Sequence, residues 1–208
     1  MLRRNPRRVK KVGIFSGSFD PVHEGHLAFA LQASKRCNLN KIYFMVEPSP
    51  RRKQGVRALE HREKMVALAT AGHKILGQIM LGHDRFTVEL TLPNLLSRFK
   101  GSELYFLMGD DVFRHLPQWG NLQTLVEQVS FIVGSRTANH LQLKQQQELI
   151  FQITGLKSRV KILTTDQHHL SSSAVRANLR RGRLEGISHP VKDYILRQGL
   201  YQSTGISK

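Results

Sequence analysis

Short apolar runs alternate with longer amphipathic segments along most of the chain. Four to eight apolar residues between polar or glycine residues are typical of buried strands, and apolar residues three and four apart indicate helices. The pattern predicts strands at residues 12–15, 42–46, 74–80, 104–108, 129–133 and 160–163. It predicts helices at 24–36, 59–70, 87–98, 142–151, 172–181 and 190–197, and a surface loop at 47–57. Pro93 lies in the third helix, which we expect it to start or kink because proline lacks the backbone N–H.

This alternation predicts the fold class. Strands separated by helices need crossover connections, which favour parallel strands. We therefore predict an α/β fold with a doubly wound, mainly parallel sheet and helices on both faces, of the Rossmann-like type. We expect a flexible basic tail at residues 1–11 and one domain at 12–208, in which the C-terminal helices form a closing segment. Ligands of such sheets bind beyond the carboxyl ends of the strands, so functional residues should follow strands directly.

The charge is strongly positive. The chain has 32 Lys+Arg against 15 Asp+Glu, a formal net charge of +17. The first eleven residues carry six of these cations and no acid, which leaves +11 of the +17 on the rest of the chain. A field of this sign attracts polyanions, either nucleotides or nucleic acid.

Two further features bear on location. No stretch approaches the roughly 20 apolar residues that span a bilayer, and no apolar run follows the basic N-terminus as in a secretory signal. The chain has one cysteine, Cys37, so no intrachain disulfide can form. We therefore expect a cytoplasmic protein without a membrane partner.

The first candidate motif, residues 17–26 (GSFDPVHEGH), follows the first strand and opens a helix. Unpaired N–H groups and the dipole at a helix N-terminus favour an anion, and Gly17 lets the backbone approach it closely. His23 and His26 are three residues apart and share one face of the first turn, where both can donate to phosphate oxygens. Such a pair could also ligate a metal, but the sequence offers no third ligand at suitable spacing.

The second candidate motif, residues 170–176 (LSSSAVR), precedes a helix. Ser171 or Ser172 is a good N-cap. Hydroxyls, helix N–H groups and Arg176 together could form another polyphosphate cradle, although the segment alone favours an ordinary capped basic helix.

Together these motifs resemble the nucleotidylyltransferase superfamily, with its H-x-G-H element at 23–26 and its I-S-S-T-x-I-R element at 170–176. The resemblance implies a doubly wound α/β fold. It implies that His23 and His26 contact the triphosphate and stabilise the transition state. It also implies that Ser172, Ser173 and Arg176 bind the β- and γ-phosphates, with Arg176 offsetting charge on departing pyrophosphate. Backbone contacts to ATP would come from residues Gly17, Ser18 and Phe19.

Further matches, spread over residues 12–201, resemble the nicotinate-mononucleotide adenylyltransferase family. Gly109 and Asp111 fit its G-x-D element and would bind ATP; residues 191–201 fit its closing pattern V-x-x-Y-I-x-x-x-x-L-Y. The resemblance implies that the acceptor contacts Asp20, Lys53, Thr87 and Trp119, with Trp119 stacked on a pyridine ring. Departures from the family pattern are Arg51, Arg52, Arg85, Phe86 and Asp110, and they lie near the acceptor rather than near ATP.

The implied reaction transfers AMP from ATP to a pyridine mononucleotide, with Mg²⁺ arriving on ATP and no metal site in the protein. Two alternatives stay open: another phosphate acceptor, either nicotinamide mononucleotide or phosphopantetheine, and a non-catalytic basic module that binds nucleotides or nucleic acid. The basic tail could contact nucleic acid, but not as the main role. The sequence leaves open a homo-oligomer.

Overall fold

The computed structural model describes residues 9–51, 53–135, 140–164 and 170–202. In this part of the chain six strands alternate with helices. The strands are β1 Lys10–Gly17, β2 Lys41–Val46, β3 Leu76–Ile79, β4 Ser102–Gly109, β5 Val129–Ser135 and β6 Val160–Thr164. The helices are α1 Glu24–Cys37, α2 Leu59–Thr70, α3 Val88–Arg98, α4 Asp110–Arg114, α5 Leu122–Gln128, α6 Leu141–Thr154, α7 Ser172–Arg180 and α8 His189–Arg197, with a 3₁₀ turn at Leu116–Gln118.

All strand pairings among these residues are parallel, in the order β3-β2-β1-β4-β5-β6. From β1 the chain winds outward to β2 and β3, and then returns to the other side of β1 with β4. Strands β1 and β4 therefore flank the topological switch point, where their carboxyl ends open a crevice for ligands. The predicted doubly wound parallel sheet is confirmed.

Alternate residues of each strand face opposite sides of the sheet, and each side has its own core. Phe15 of β1 belongs to the core that packs against α1, α2, α7 and α8. Its neighbour Ile14 belongs to the core that packs against α3, α4, α5 and α6. Helices thus cover both faces, as predicted.

Several predicted boundaries are wrong. Strand β1 begins at Lys10, so the end of the expected tail is part of the sheet, while residues 1–8 and Arg52 lie outside the described residues. Strand β3 is shorter than the predicted 74–80. Helix α3 begins at Val88 and runs past Pro93, so the proline does not start it. Helices α4 and α5 were not predicted, because segments of five and seven residues are too short to show a helical period.

Among the residues that the structure describes, no helix is both long and apolar enough to cross a membrane.

Candidate active site

A cavity of about 880 Å³ opens at the switch point, beyond the carboxyl ends of β1 and β4. Both predicted motifs lie on it, together with the residues that follow β4. The predicted site residues on its wall are Gly17, Ser18, Phe19, Asp20, His23, His26, Lys53, Gly109, Asp111, Ser172, Ser173 and Arg176. The fold therefore brings together positions that are more than 150 residues apart in the sequence.

The two histidines form one stacked unit at the start of α1. His23 is the N-cap and His26 is the third residue of the helix; their ring centroids lie 3.7 Å apart. The backbone N–H of His23 donates to Nδ1 of His26 at 3.2 Å. An imidazole nitrogen that accepts a hydrogen bond carries no proton, so the proton of His26 lies on Nε2. His26 is thereby arranged as a donor through Nε2, on the wall of the cavity.

Gly25 leaves space for the His23 ring and for Leu170 of the second motif. A Cβ atom at this position would lie 3.0 Å from Nδ1 of His23 and 3.3 Å from Cβ of Leu170. The glycine therefore allows the second motif to approach the first. The first N–H of α1 is already used, since the N–H of Glu24 donates to the carbonyl of Gly186 at 2.8 Å.

Hydrogen bonds join the second motif to the first. Ser171 caps α7 by accepting from the N–H of Ala174 at 3.1 Å, which confirms one of the two predicted N-caps. The Ser172 hydroxyl donates to the Pro21 carbonyl at 3.1 Å. Arg176 donates to the Asp20 carbonyl at 2.6 Å. The start of α7, with its serines, is thus fixed against the turn that leads into α1.

Asp20 is the buried anion of the site, with a residue exposure of 2%. Its Oδ1 accepts from the Tyr201 hydroxyl at 2.5 Å and from the N–H of Arg57 at 3.4 Å. Its Oδ2 lies 3.8 Å from Nη1 of Arg176. Burial, and then the hydrogen bond to Asp20, raise the pKa of the Tyr201 phenol, so Tyr201 stays a donor at neutral pH.

The loop after β2 carries Lys53 to the cavity, where Nζ donates to Oγ of Ser18 at 2.8 Å. A second, more open cavity of about 570 Å³ shares Lys53 and is also lined by Arg51 and Arg85. Two departures from the family pattern thus form a basic wall beside the main cavity.

Sequence reasoning missed the role of Arg62, the largest fully buried side chain. Its guanidinium donates to four backbone carbonyls, those of Ser18, Glu47, Pro48 and Arg57, at 2.7 to 3.0 Å. It therefore holds the first motif, the end of β2 and the Lys53 loop together. The sequence did carry a signal for this role, because position 62 lies on the core-facing side of α2. A buried charge must be satisfied by polar partners, so an arginine at this position indicates a structural hydrogen-bond network.

Sequence reasoning also gave no site role to Arg57, Arg180 or Tyr201, which line the main cavity. Arg57 stacks on the Tyr201 ring, with the guanidinium carbon 5.2 Å from the ring centroid. Tyr201 belongs to the quoted closing pattern, but its 181-residue separation from Asp20 leaves no local signal.

Thr87 and Trp119 do not line the main cavity. Thr87 caps α3, with its hydroxyl accepting from the N–H of Leu90 at 3.3 Å. Trp119 is half-buried, and its ring lies 5.4 Å from that of Phe86. The N–H of Phe86 in turn donates to the Glu47 carboxylate at 3.2 Å. The acceptor roles of Thr87 and Trp119 stay predictions.

Cationic side chains outnumber acidic side chains on the cavity wall by one. Its cationic side chains are Lys53, Arg57, Arg176 and Arg180, and its acids are Asp20, Asp110 and Asp111. Asp20 accepts from Tyr201 and lies 3.8 Å from Arg176, and Asp110 lies 3.6 Å from Arg114, so cations near the cavity offset these acids and can attract a polyanion such as a triphosphate. Within the described ranges, no group of three or more His, Cys, Asp or Glu side chains could hold a metal ion.

The chain belongs to the cytidylyltransferase-like family, whose model matches residues 14–178. That range contains both motifs and all six strands except the start of β1. The predicted membership of the nucleotidylyltransferase superfamily is confirmed.

Within this class the chain is similar to proteins named "Probable nicotinate-nucleotide adenylyltransferase". The one from Dictyoglomus thermophilum is 31% identical over 197 residues, which cover 92% of this chain and 99% of the relative. The one from Neisseria meningitidis serogroup C is 30% identical over 201 residues, covering 93% and 100%. The fold is similar to that of Plasmodium falciparum nicotinic acid mononucleotide adenylyltransferase complexed with NaAD, with a TM-score of 0.70. The two chains are 19% identical, and the superposition covers 92% of this chain and 97% of the other.

Proposed function

We propose that this chain transfers the adenylyl group of Mg-ATP to nicotinate mononucleotide, forming nicotinate adenine dinucleotide and pyrophosphate. The observation that carries the chemistry is the meeting of the two motifs: stacked His23 and His26 face the same cavity as Arg176, at the switch point of the sheet. The choice of acceptor rests on the relatives, which match over nearly their whole length.

The acceptor phosphate is anionic at neutral pH and needs no general base. Its oxygen attacks the α-phosphorus of ATP, a new P–O bond forms, and the bond to the bridging oxygen breaks, so that pyrophosphate leaves with the electron pair. Such transfers are accelerated by positioning and by charge stabilisation. His26, donating through Nε2, and His23 stabilise charge at the α-phosphate and the bridging oxygen.

The leaving group is held by α7. Arg176, Ser172 and Ser173 bind the β- and γ-phosphates, while Gly17, Ser18 and Phe19 supply backbone contacts. Gly109 and Asp111 complete the ATP side. Mg²⁺ enters as part of the substrate, held largely by phosphate oxygens and water.

The acceptor side is assigned to Asp20, Lys53, Thr87 and Trp119. Lys53 already donates to Ser18 at the cavity and offers a cation for the acceptor phosphate. Asp20 acts there chiefly through its neighbours, because its carboxylate is buried.

The test is pyrophosphate release from Mg-ATP with nicotinate mononucleotide, nicotinamide mononucleotide and phosphopantetheine in parallel. We expect the highest kcat/KM with nicotinate mononucleotide. A preference for either other acceptor would support adenylyl transfer but contradict the assignment of nicotinate mononucleotide as the acceptor. No release with any acceptor, together with salt-sensitive RNA binding, would favour the non-catalytic module.

A further inference from the structure

We propose that Tyr201 is a positioning residue: by holding Asp20, it keeps Arg176 available to the triphosphate. The inference rests on the proposed function, because that function assigns the β- and γ-phosphates to Arg176. It gives a role to the closing segment after α8, which the mechanism does not otherwise use.

Arg176 has an anionic neighbour that competes with its ligand. Its guanidinium donates to the Asp20 carbonyl at 2.6 Å and to Oγ of Ser173 at 3.1 Å, and its Nη1 lies 3.8 Å from the Asp20 carboxylate. The last distance is that of an ion pair but is too long for a hydrogen bond. A guanidinium has five N–H donors, so these two bonds leave donors for phosphate oxygens.

Tyr201 maintains that separation. The Asp20 side chain is 3% exposed, and a buried carboxylate must be satisfied by donors. The Tyr201 hydroxyl is its closest donor, at 2.5 Å, and binds Oδ1, while Arg176 lies nearer to Oδ2. Without this hydroxyl, the Asp20 carboxylate draws the Arg176 guanidinium into direct hydrogen bonds and away from the triphosphate.

The conformation of the closing segment places the Tyr201 phenol in the core, next to Asp20. Helix α8 ends at Arg197; Leu200 and Tyr201 then turn back into the core, with exposures of 7% and 3%. Tyr201 has a φ of 62°, a left-handed conformation that costs energy for a side chain of this size and so must be imposed by its contacts. Those contacts include the Arg57 guanidinium over its ring.

The experiment is a double-mutant cycle on binding of α,β-methylene-ATP with Mg²⁺, measured by calorimetry. The proteins are wild type, Tyr201→Phe, Arg176→Ala and the double variant. Loss of a hydrogen bond to a charged group predicts roughly tenfold weaker binding for Tyr201→Phe. In the Arg176→Ala background, Tyr201→Phe should cause no further loss, because Tyr201 acts through Arg176. An equal loss in both backgrounds would mean a merely structural role and would overturn the inference.

Tyr194→Phe is the matched control. Its hydroxyl lies 2.8 Å from Nδ1 of His61, which links α8 to α2 outside the main cavity. This variant removes the same group from α8, seven residues before Tyr201, and we expect unchanged affinity for the analogue.

Asp20→Asn keeps the inference testable if Tyr201→Phe does not fold. A neutral amide no longer competes for Arg176, so this variant should bind the analogue at least as tightly as wild type; weaker binding would count against the inference. Failure of the proposed function is read separately, as absence of pyrophosphate release from Mg-ATP by the wild-type protein in the presence of nicotinate mononucleotide. Wild-type affinity in Tyr201→Phe would overturn only the inference.

Discussion

Nδ1 of His26 accepts a hydrogen bond from the backbone, and this determines that Nε2 is the donor. Because Nδ1 accepts from the N–H of His23, Nε2 carries the proton and can donate to an oxygen that gains charge in the transition state. His26→Ala should therefore lower kcat by roughly 10²–10³-fold without unfolding the protein. The measurement is steady-state pyrophosphate release. His189→Ala, whose side chain is 85% exposed on α8, is the control and should keep wild-type kcat. A near-normal kcat in His26→Ala would contradict a role of His26 in stabilising the transition state.

Gly25 tests whether the packing of the two motifs matters for turnover. A methyl group at this position would press on the His23 ring and on Leu170, at 3.0 to 3.3 Å, and so displace the imidazole or separate the motifs. We expect Gly25→Ala to lower kcat/KM for ATP at least tenfold while thermal stability changes little. In Gly72→Ala the added methyl group meets nothing within 4 Å, and this variant should behave as wild type. Equal kinetics in the two variants would contradict the packing argument.

Glu47 makes stability depend on pH. Burial raises the pKa of its carboxyl, and this outweighs the opposing effects of the Phe86 N–H and of Arg51, Arg85 and Lys53. The stability that a raised pKa provides is fully present below the pKa of the unfolded chain, about 4.3, and is lost as pH rises through the folded value. A glutamine is neutral throughout, so it does not suffer this loss.

Glu47→Gln should therefore raise the urea midpoint relative to wild type at pH 7, and the gain should shrink as the pH falls to about 4. Equilibrium urea unfolding at several pH values measures this. Glu148→Gln, at an exposed position of α6, is the control and should show no such trend. A gain that is independent of pH would show that the burial of Glu47 is not the cause.

At the scale of elements, Arg62 joins α2 to two segments that carry site residues. Methionine would keep much of its volume but leave four carbonyls without their donor, and a buried group that loses its partner costs about 1–3 kcal/mol. Arg62→Met should thus lower the free energy of unfolding by about 3 kcal/mol or more, as measured by urea unfolding. Lys64→Met, at an exposed position of the same helix, should change it little. Similar midpoints for both variants would mean that water replaces the guanidinium.

The sequence was most informative where a pattern repeats. The long helices and the central strands show a period, and the two motifs directly follow β1 or lead into α7, so the fold class and the place of both motifs on the cavity could be predicted. Three features could not be predicted from the sequence. Helices α4 and α5 are too short for a period, Arg62 needed its carbonyl partners to be interpretable, and Tyr201 reaches Asp20 only through the tertiary fold.

At the scale of the whole molecule, the formal net charge of +17 acts on stability. Like charges repel one another in the compact state, and salt shortens the range of that repulsion to about 8 Å at 0.15 M. We expect the melting temperature to rise when NaCl increases from low concentration to 0.15 M. A variant with Lys64, Lys100 and Lys144, all at exposed positions, replaced by glutamine should gain less from the same salt. A melting temperature that falls with salt would mean that attractive ion pairs outweigh the repulsion.

The contacts that join the first motif to the second motif and to Tyr201 span 151 to 181 residues of sequence. Closing so long a loop costs chain entropy that only the later contacts offset, so we expect these contacts to form late in folding. Local pairings such as β1 with β2 can form earlier, but they do not build the nucleotide cavity. A nascent chain that has not yet extended to residue 201 therefore has the histidines but not the finished site, and nucleotide binding reports that folding is complete.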